Sequence, residues 1–232
     1  MINWNVEFDK LIFKNYEEET FEKFIKIKGA YLHKQIYDVL LSYNAKEVTY
    51  HELCSIIRYD KNLRDTLYKY LATVEEKLRS ELFTKYDVDT TDCIYKRTKG
   101  LEKLKKDIHI KTNFVNSNLY FCYQLDLGAT IDLLENLNFY NNKDIFTDLR
   151  QIKELRNRVM HHNILVAGNA TDRIQAEINL QNLKNQIVVL CKYLPCDYQK
   201  GFQTEISNLN VNKKTGQHYL DKLCLENIAW NI

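Results

Sequence analysis

Large apolar side chains return at three- and four-residue steps through most of the chain, the spacing of one face of an α-helix. Over residues 21–43, Phe21, Phe24, Ile25, Leu32, Ile36, Val39, Leu40 and Tyr43 form such a stripe and predict one amphipathic helix. Thr49-Tyr50-His51-Glu52 follows as a capping box, in which a hydroxyl and a carboxylate satisfy backbone donors at a helix start. A short helix to about Arg58 is expected from it, with Asp60 capping the next one. That next helix carries Leu63, Leu67, Leu71, Val74, Leu78 and Leu82, an almost unbroken seam that marks the central strut of a bundle.

Residues 119–127 and 129–137 predict two short helices meeting near Gly128, with Leu133, Leu134 and Leu137 turned to the core. Asn141 and Asn142 mark a turn, and a helix starting at Asp144 places Ile145, Leu149, Ile152, Leu155 and Val159 on its apolar side. Ala167-Gly168-Asn169-Ala170 reads as a loop, Thr171 as the cap of a helix to about Leu194, and Pro195 as its stop. Beyond it come a weaker helix over 197–209, a polar turn over 212–216 and a last amphipathic piece ending near Trp230. No repeat or linker divides the pattern. It predicts one all-α domain over residues 1–232, with a bundle core at about 60–195, N-terminal helices within 1–59 and a helical extension over 196–232.

Composition supports the helical reading: one proline and six glycines in 232 residues leave few helix breakers, and 45% apolar with 28% charged residues is an ordinary globular mix. A net charge of +2 is too small to draw nucleic acid by itself, so any such attraction rests on local patches. One patch stands out: Lys96, Arg97, Lys99, Lys103, Lys105, Lys106 and Lys111, offset only by Glu102 and Asp107. Such a run is either a solvated face or a guide for an RNA backbone.

The six cysteines, Cys54, Cys93, Cys122, Cys191, Cys196 and Cys224, form no C-x-x-C pair and suggest neither a zinc site nor a disulfide framework. The N-terminus lacks a basic start followed by an apolar run, and no segment is apolar long enough for a membrane span. A soluble, cytoplasmic protein without cofactor or metal is expected. His33, His51, His109 and Arg79 stand alone and read as satisfied or solvent-facing polar residues.

Chemistry concentrates in one stretch, Glu154-Leu155-Arg156-Asn157-Arg158-Val159-Met160-His161-His162. An arginine holds a phosphate through a planar fork of donors, and a histidine moves a proton near neutral pH. Cleavage of RNA by its own 2′-hydroxyl needs a base, an acid and positive charge against the transition state. His161, or His162 in its place, suits the proton work, Arg156 the phosphate, and Asn157 the imidazole, phosphate or sugar; Arg158 is a further cation for RNA. On an unbroken helix, however, His161 would lie about 140° from Arg156. Either the helix ends or distorts near Met160, or the stripe packs on a second copy of itself about a two-fold axis. The same facing argument favours His161 over His162, which falls in line with Leu155 and Val159.

These residues resemble a known signature. Arg156-Asn157-Arg158-Val159-Met160-His161-His162 is similar to the R-N-x-x-x-H-H form of the arginine-to-histidine motif of HEPN-domain ribonucleases, in particular the Abi-like (abortive infection) branch. Residues 67–80, ending Glu75-Glu76-Lys77-Leu78-Arg79-Ser80, resemble that branch's helix with an E-x-x-L-R-S end, and Leu125-Asp126-Leu127-Gly128-Ala129-Thr130 resembles its L-x-x-G-x-x joint. Met160 and Asn163 depart from the small and the basic residue often found at those places, which bears on substrate preference. The resemblance covers about residues 20–195. It implies an all-α HEPN bundle, metal-independent RNA cleavage with Arg156 and His161 as the essential pair, and frequent dimerisation through the motif helix. It further implies a toxin-type role in phage defence, with a small noncoding RNA or an antitoxin as possible partner. The alternatives are an RNA-binding HEPN-like protein that does not cut and a helical interaction module.

Overall fold

The computed structural model describes residues 7–44, 46–85, 125–210 and 222–230. The basic stretch at 96–111, His109, Cys93, Cys122, residues 119–124 and the turn over 212–216 lie outside them. Within the described residues the architecture is all-α, apart from two two-residue strands: β1 (Leu11–Ile12) lies parallel to β2 (Val48–Thr49), Leu11 opposite Val48.

The stripe over 21–43 is divided between two helices, α1 (Glu17–Lys28) and α2 (Ala30–Asn44), and not carried by one. Gly29 separates them at φ +82°, a backbone angle open to glycine and strained for a side chain, and its N–H closes α1 on the Ile25 carbonyl. Beside this break His33 is buried and its Nδ1–H donates to the Gly29 carbonyl at 3.0 Å, the satisfied core histidine expected.

Half of the predicted capping box forms. The Thr49 hydroxyl accepts from the Glu52 N–H at 3.2 Å, while the Glu52 carboxylate accepts from Asn44. From there the expected pair of helices is a single one, α3 (Tyr50–Lys85), 36 residues and so roughly 54 Å long. Leu53, Ile56, Ile57 and Leu63 are all buried, so one apolar stripe runs through the supposed joint and nothing local stops the helix. Asp60 is therefore no cap; it sits mid-helix with its side chain inside the protein. The seam from Leu63 to Leu82 is buried throughout, as a central strut requires.

Around α3 pack α4 (Leu127–Asn136), α5 (Asp144–Met160), α6 (Arg173–Tyr193) and α7 (Cys196–Ser207). Gly128 lies in the first turn of α4, Leu125 and Asp126 before it are in no helix, and Asp126 caps that turn by accepting from the Ala129 N–H at 2.7 Å. The cap of α6 is Asp172, which accepts from the Gln175 N–H at 2.9 Å, rather than Thr171. Pro195 parts α6 from α7 as expected. Residues 222–230 carry no helix, which corrects the expected amphipathic piece: Leu223, Cys224 and Leu225 are buried in a turn, and the Leu225 N–H donates to the Tyr59 hydroxyl at 2.9 Å. Trp230 packs its ring on Phe202, which in turn meets Tyr70 on α3. No described helix is long and apolar enough to cross a membrane, and among the described residues no two cysteines form a disulfide.

Candidate functional site

Helix α5 is held on α3 by Leu149, Ile152, Leu155 and Val159, all buried, with Ile145 partly so. Its C-terminus decides where the motif points. The His162 N–H donates to the Val159 carbonyl at 3.2 Å and the Asn163 N–H to the Arg158 carbonyl at 3.0 Å, the paired bonds of a Schellman motif. The left-handed position such a turn requires falls on His162, at φ 55°. The helix therefore stops after Met160, the first of the two arrangements the sequence allowed. His161 is the C-cap at φ −87°, ψ 10°, a sparsely allowed region, and both histidines are exposed. The facing argument that set His161 above His162 assumed a continuous helix and so does not apply to them.

The polar residues of the motif go to opposite flanks of α5. On one flank Arg156 and Asn157 line a cleft of about 320 Å³ with Lys153 and the first turn of α4. Here the absence of a side chain at Gly128 matters, because a Cβ on it would lie 2.7 Å from the Lys153 ammonium. The Asp126 and Asp132 carboxylates share the cleft with the two cations. Arg156, about one turn after the buried Ile152, has a counter-charge beside it: its Nε lies 3.7 Å from the Glu75 carboxylate, which is bonded more closely to Arg79 at 2.6 Å. Arg79 also donates to the Leu125 carbonyl at 2.6 Å, while its Nε is buried without a partner among the described residues.

On the other flank Arg158 turns inward. Its Nη2 donates to the Leu165 carbonyl at 2.7 Å and its Nη1 to Gln186 Oε1 at 3.3 Å, and burial lowers its pKa. These bonds make it a fastener of the loop after α5, where the sequence offered it as an RNA contact. Asp60, 1% exposed, holds the same loop from α3: Oδ1 accepts the N–H groups of Leu165 and Val166 at 2.7 and 3.1 Å, and Oδ2 accepts Arg64 Nε at 2.9 Å. Burial pushes the Asp60 carboxyl up, while the Arg64 charge and the two amides pull it back. Arg64 completes the chain, its Nη1 standing 3.4 Å from His162 Nδ1.

Sequence reasoning reaches Glu75 only as the glutamate of the E-x-x-L-R-S resemblance, without a place beside Arg156, and passes over Lys153, Arg64 and the buried role of Asp60. A signal existed for Asp60 alone: it falls on the apolar stripe of α3 between Ile57 and Leu63, where a carboxylate must be bonded. Among the described residues no three His, Cys, Asp or Glu side chains group so as to hold a metal ion. Compared with known proteins, the chain matches no family model, no curated protein and no solved structure.

Proposed function

We propose that this protein is a metal-independent RNA endonuclease whose working surface is the C-terminal end of α5. The observation that carries the reading is the Schellman turn at Met160: it takes His161 and His162 off the helix into solvent while Arg156 and Asn157 stay on its last turns beside an open cleft. An exposed histidine and an arginine at a cleft are the groups that 2′-hydroxyl transesterification uses. His161, whose ring has no hydrogen-bond partner among the described residues, takes the proton of the 2′-hydroxyl as the 2′-oxygen attacks phosphorus. The bond to the 5′-oxygen breaks, and that oxygen is protonated by the imidazolium of His161 or by water. Arg156 and Lys153 offset charge on the phosphoryl oxygens. The resemblance to Abi-like HEPN ribonucleases supplies the wider reading, a toxin-type effector of phage defence working as a homodimer through α5.

The test is incubation of the purified protein with total RNA in EDTA. The wild type is expected to cut, His161→Ala to lose about 10²- to 10⁴-fold in rate, and Arg156→Ala to weaken both binding and rate. Undiminished cleavage by both variants would sink the assignment. Expression of the wild type, but not of the two variants, is expected to slow growth.

A second reading, a helical interaction module, has the charge of the cleft in its favour. Arg156 is already paired with Glu75, and two carboxylates line its cleft, which oppose a phosphate backbone. Absence of both cleavage and RNA affinity would select that reading.

A further inference from the structure

Of the two histidines that end α5, only His162 has a side-chain partner among the described residues, and that partner fixes its chemistry. A guanidinium carries donors and no acceptor, so the contact between Arg64 Nη1 and His162 Nδ1 has one sense: Arg64 donates and the Nδ1 lone pair accepts. The ring's single proton is then on Nε2. Arg64 is itself fixed, its side chain 13% exposed and its Nε bonded to the buried Asp60. The same Asp60 carboxylate holds Leu165 and Val166, so the arginine and the loop carrying the histidine share one anchor.

We infer that His162 is a fixed hydrogen-bond donor through Nε2–H, that Arg64 is the positioning residue that makes it so, and that the ligand is a non-bridging phosphate oxygen of an RNA strand. The identity of the ligand rests on the nuclease reading above. With Nδ1 occupied and Nε2 protonated, the neutral ring has no lone pair left to take a proton from a 2′-hydroxyl. Giving up the Nε2 proton would leave an imidazolate, so the ring is no acid either. What it offers is a directed N–H beside a cation, the arrangement that stabilises an anionic oxygen. Proton transfer falls to His161.

Glutamine separates the two roles, because its amide N–H reaches about where Nε2–H sits yet carries no proton to and fro. His162→Ala is expected to lose about 10²-fold or more in cleavage, as for removal of one oxyanion donor, and His162→Gln to recover to within about tenfold of wild type with an unchanged pH–rate profile. His161→Gln is expected to stay as inactive as His161→Ala. Arg64→Ala should raise KM for RNA and lower kcat without moving the pH–rate midpoints, and should add little to His162→Ala. Nitrogen-15 NMR of the imidazole reads the pairing without activity: Nε2 protonated and Nδ1 a bonded acceptor in the wild type, with the acceptor shift lost in Arg64→Ala.

The inference is overturned if folded His162→Gln is as dead as His162→Ala, if a limb of the pH–rate profile disappears in His162→Gln, or if Nδ1 carries the proton. A wild type that cuts no RNA would remove the nuclease reading alone. The NMR result then decides by itself: an Arg64-dependent, Nε2-protonated ring upholds the donor, and an Nδ1-protonated ring refutes it.

Discussion

The two flanks of α5 carry similar side chains to different ends. Arg158 and Asp60, on the loop side, spend their charge on backbone groups and a carboxamide in the interior. Arg156 and Lys153, on the cleft side, face solvent-accessible space, and the nearest carboxylate to Arg156 among the described residues stands at 3.7 Å. The kind of partner thus separates two half-buried arginines two residues apart into one bonded to the interior and one held by a long ion pair at a cleft. Residue type alone does not make that distinction.

The comparison can be broken most directly at Asp60. Asp60→Ala would leave Arg64 and two loop amides without their acceptor, and a loss of about 3–5 kcal/mol is expected in urea unfolding. A loss below 1 kcal/mol would mean that the loop does not depend on this anchor. Next in size is Arg158→Ala, expected to cost about 2 kcal/mol because a bonded cation is withdrawn from the Leu165 carbonyl and Gln186. By contrast Arg156→Ala should cost about 1 kcal/mol or less, its ion pair being long and its partner already engaged by Arg79. Equal losses for the two arginines would erase the distinction between the flanks.

A smaller effect is set by pH. Burial raises the Asp60 carboxyl above its usual range. A group whose folded pKa exceeds its unfolded value contributes fully below the unfolded value and loses that contribution as pH rises through the folded one. The stability margin of wild type over Asp60→Asn should therefore narrow as the acidic range is crossed upward, as measured by unfolding over a pH series. A margin that widens would reverse the sign of the Asp60 term.

The strut, the motif helix and its start at Asp144 could be read from periodicity, because each buries one uninterrupted apolar face. The break at Gly29 could not be placed that way, since the hydrophobic stripe continues in phase across it and only the glycine's backbone angle records the turn. The converse error came at Asp60, where a residue type favoured at caps suggested a boundary that the apolar residues on either side overrode. In the site, the partner of Arg156 is Glu75, 81 positions earlier, and no local pattern pairs residues so far apart. Helical periodicity leaves the turn at His161 as one of two options. Its cause is a Schellman closure without glycine, for which no local sequence signal exists.

That closure carries a trade-off. Glycine fills the left-handed slot after a helix at no steric cost, whereas any other L-residue there gives up about 1 kcal/mol, and here the occupant is His162 at φ 55°. His162→Gly is thus expected to raise the melting temperature while removing the imidazole that Arg64 grips. A more stable protein obtained by so plain a replacement would mean that the chain keeps less thermal margin than its backbone allows, in exchange for a ring at that corner.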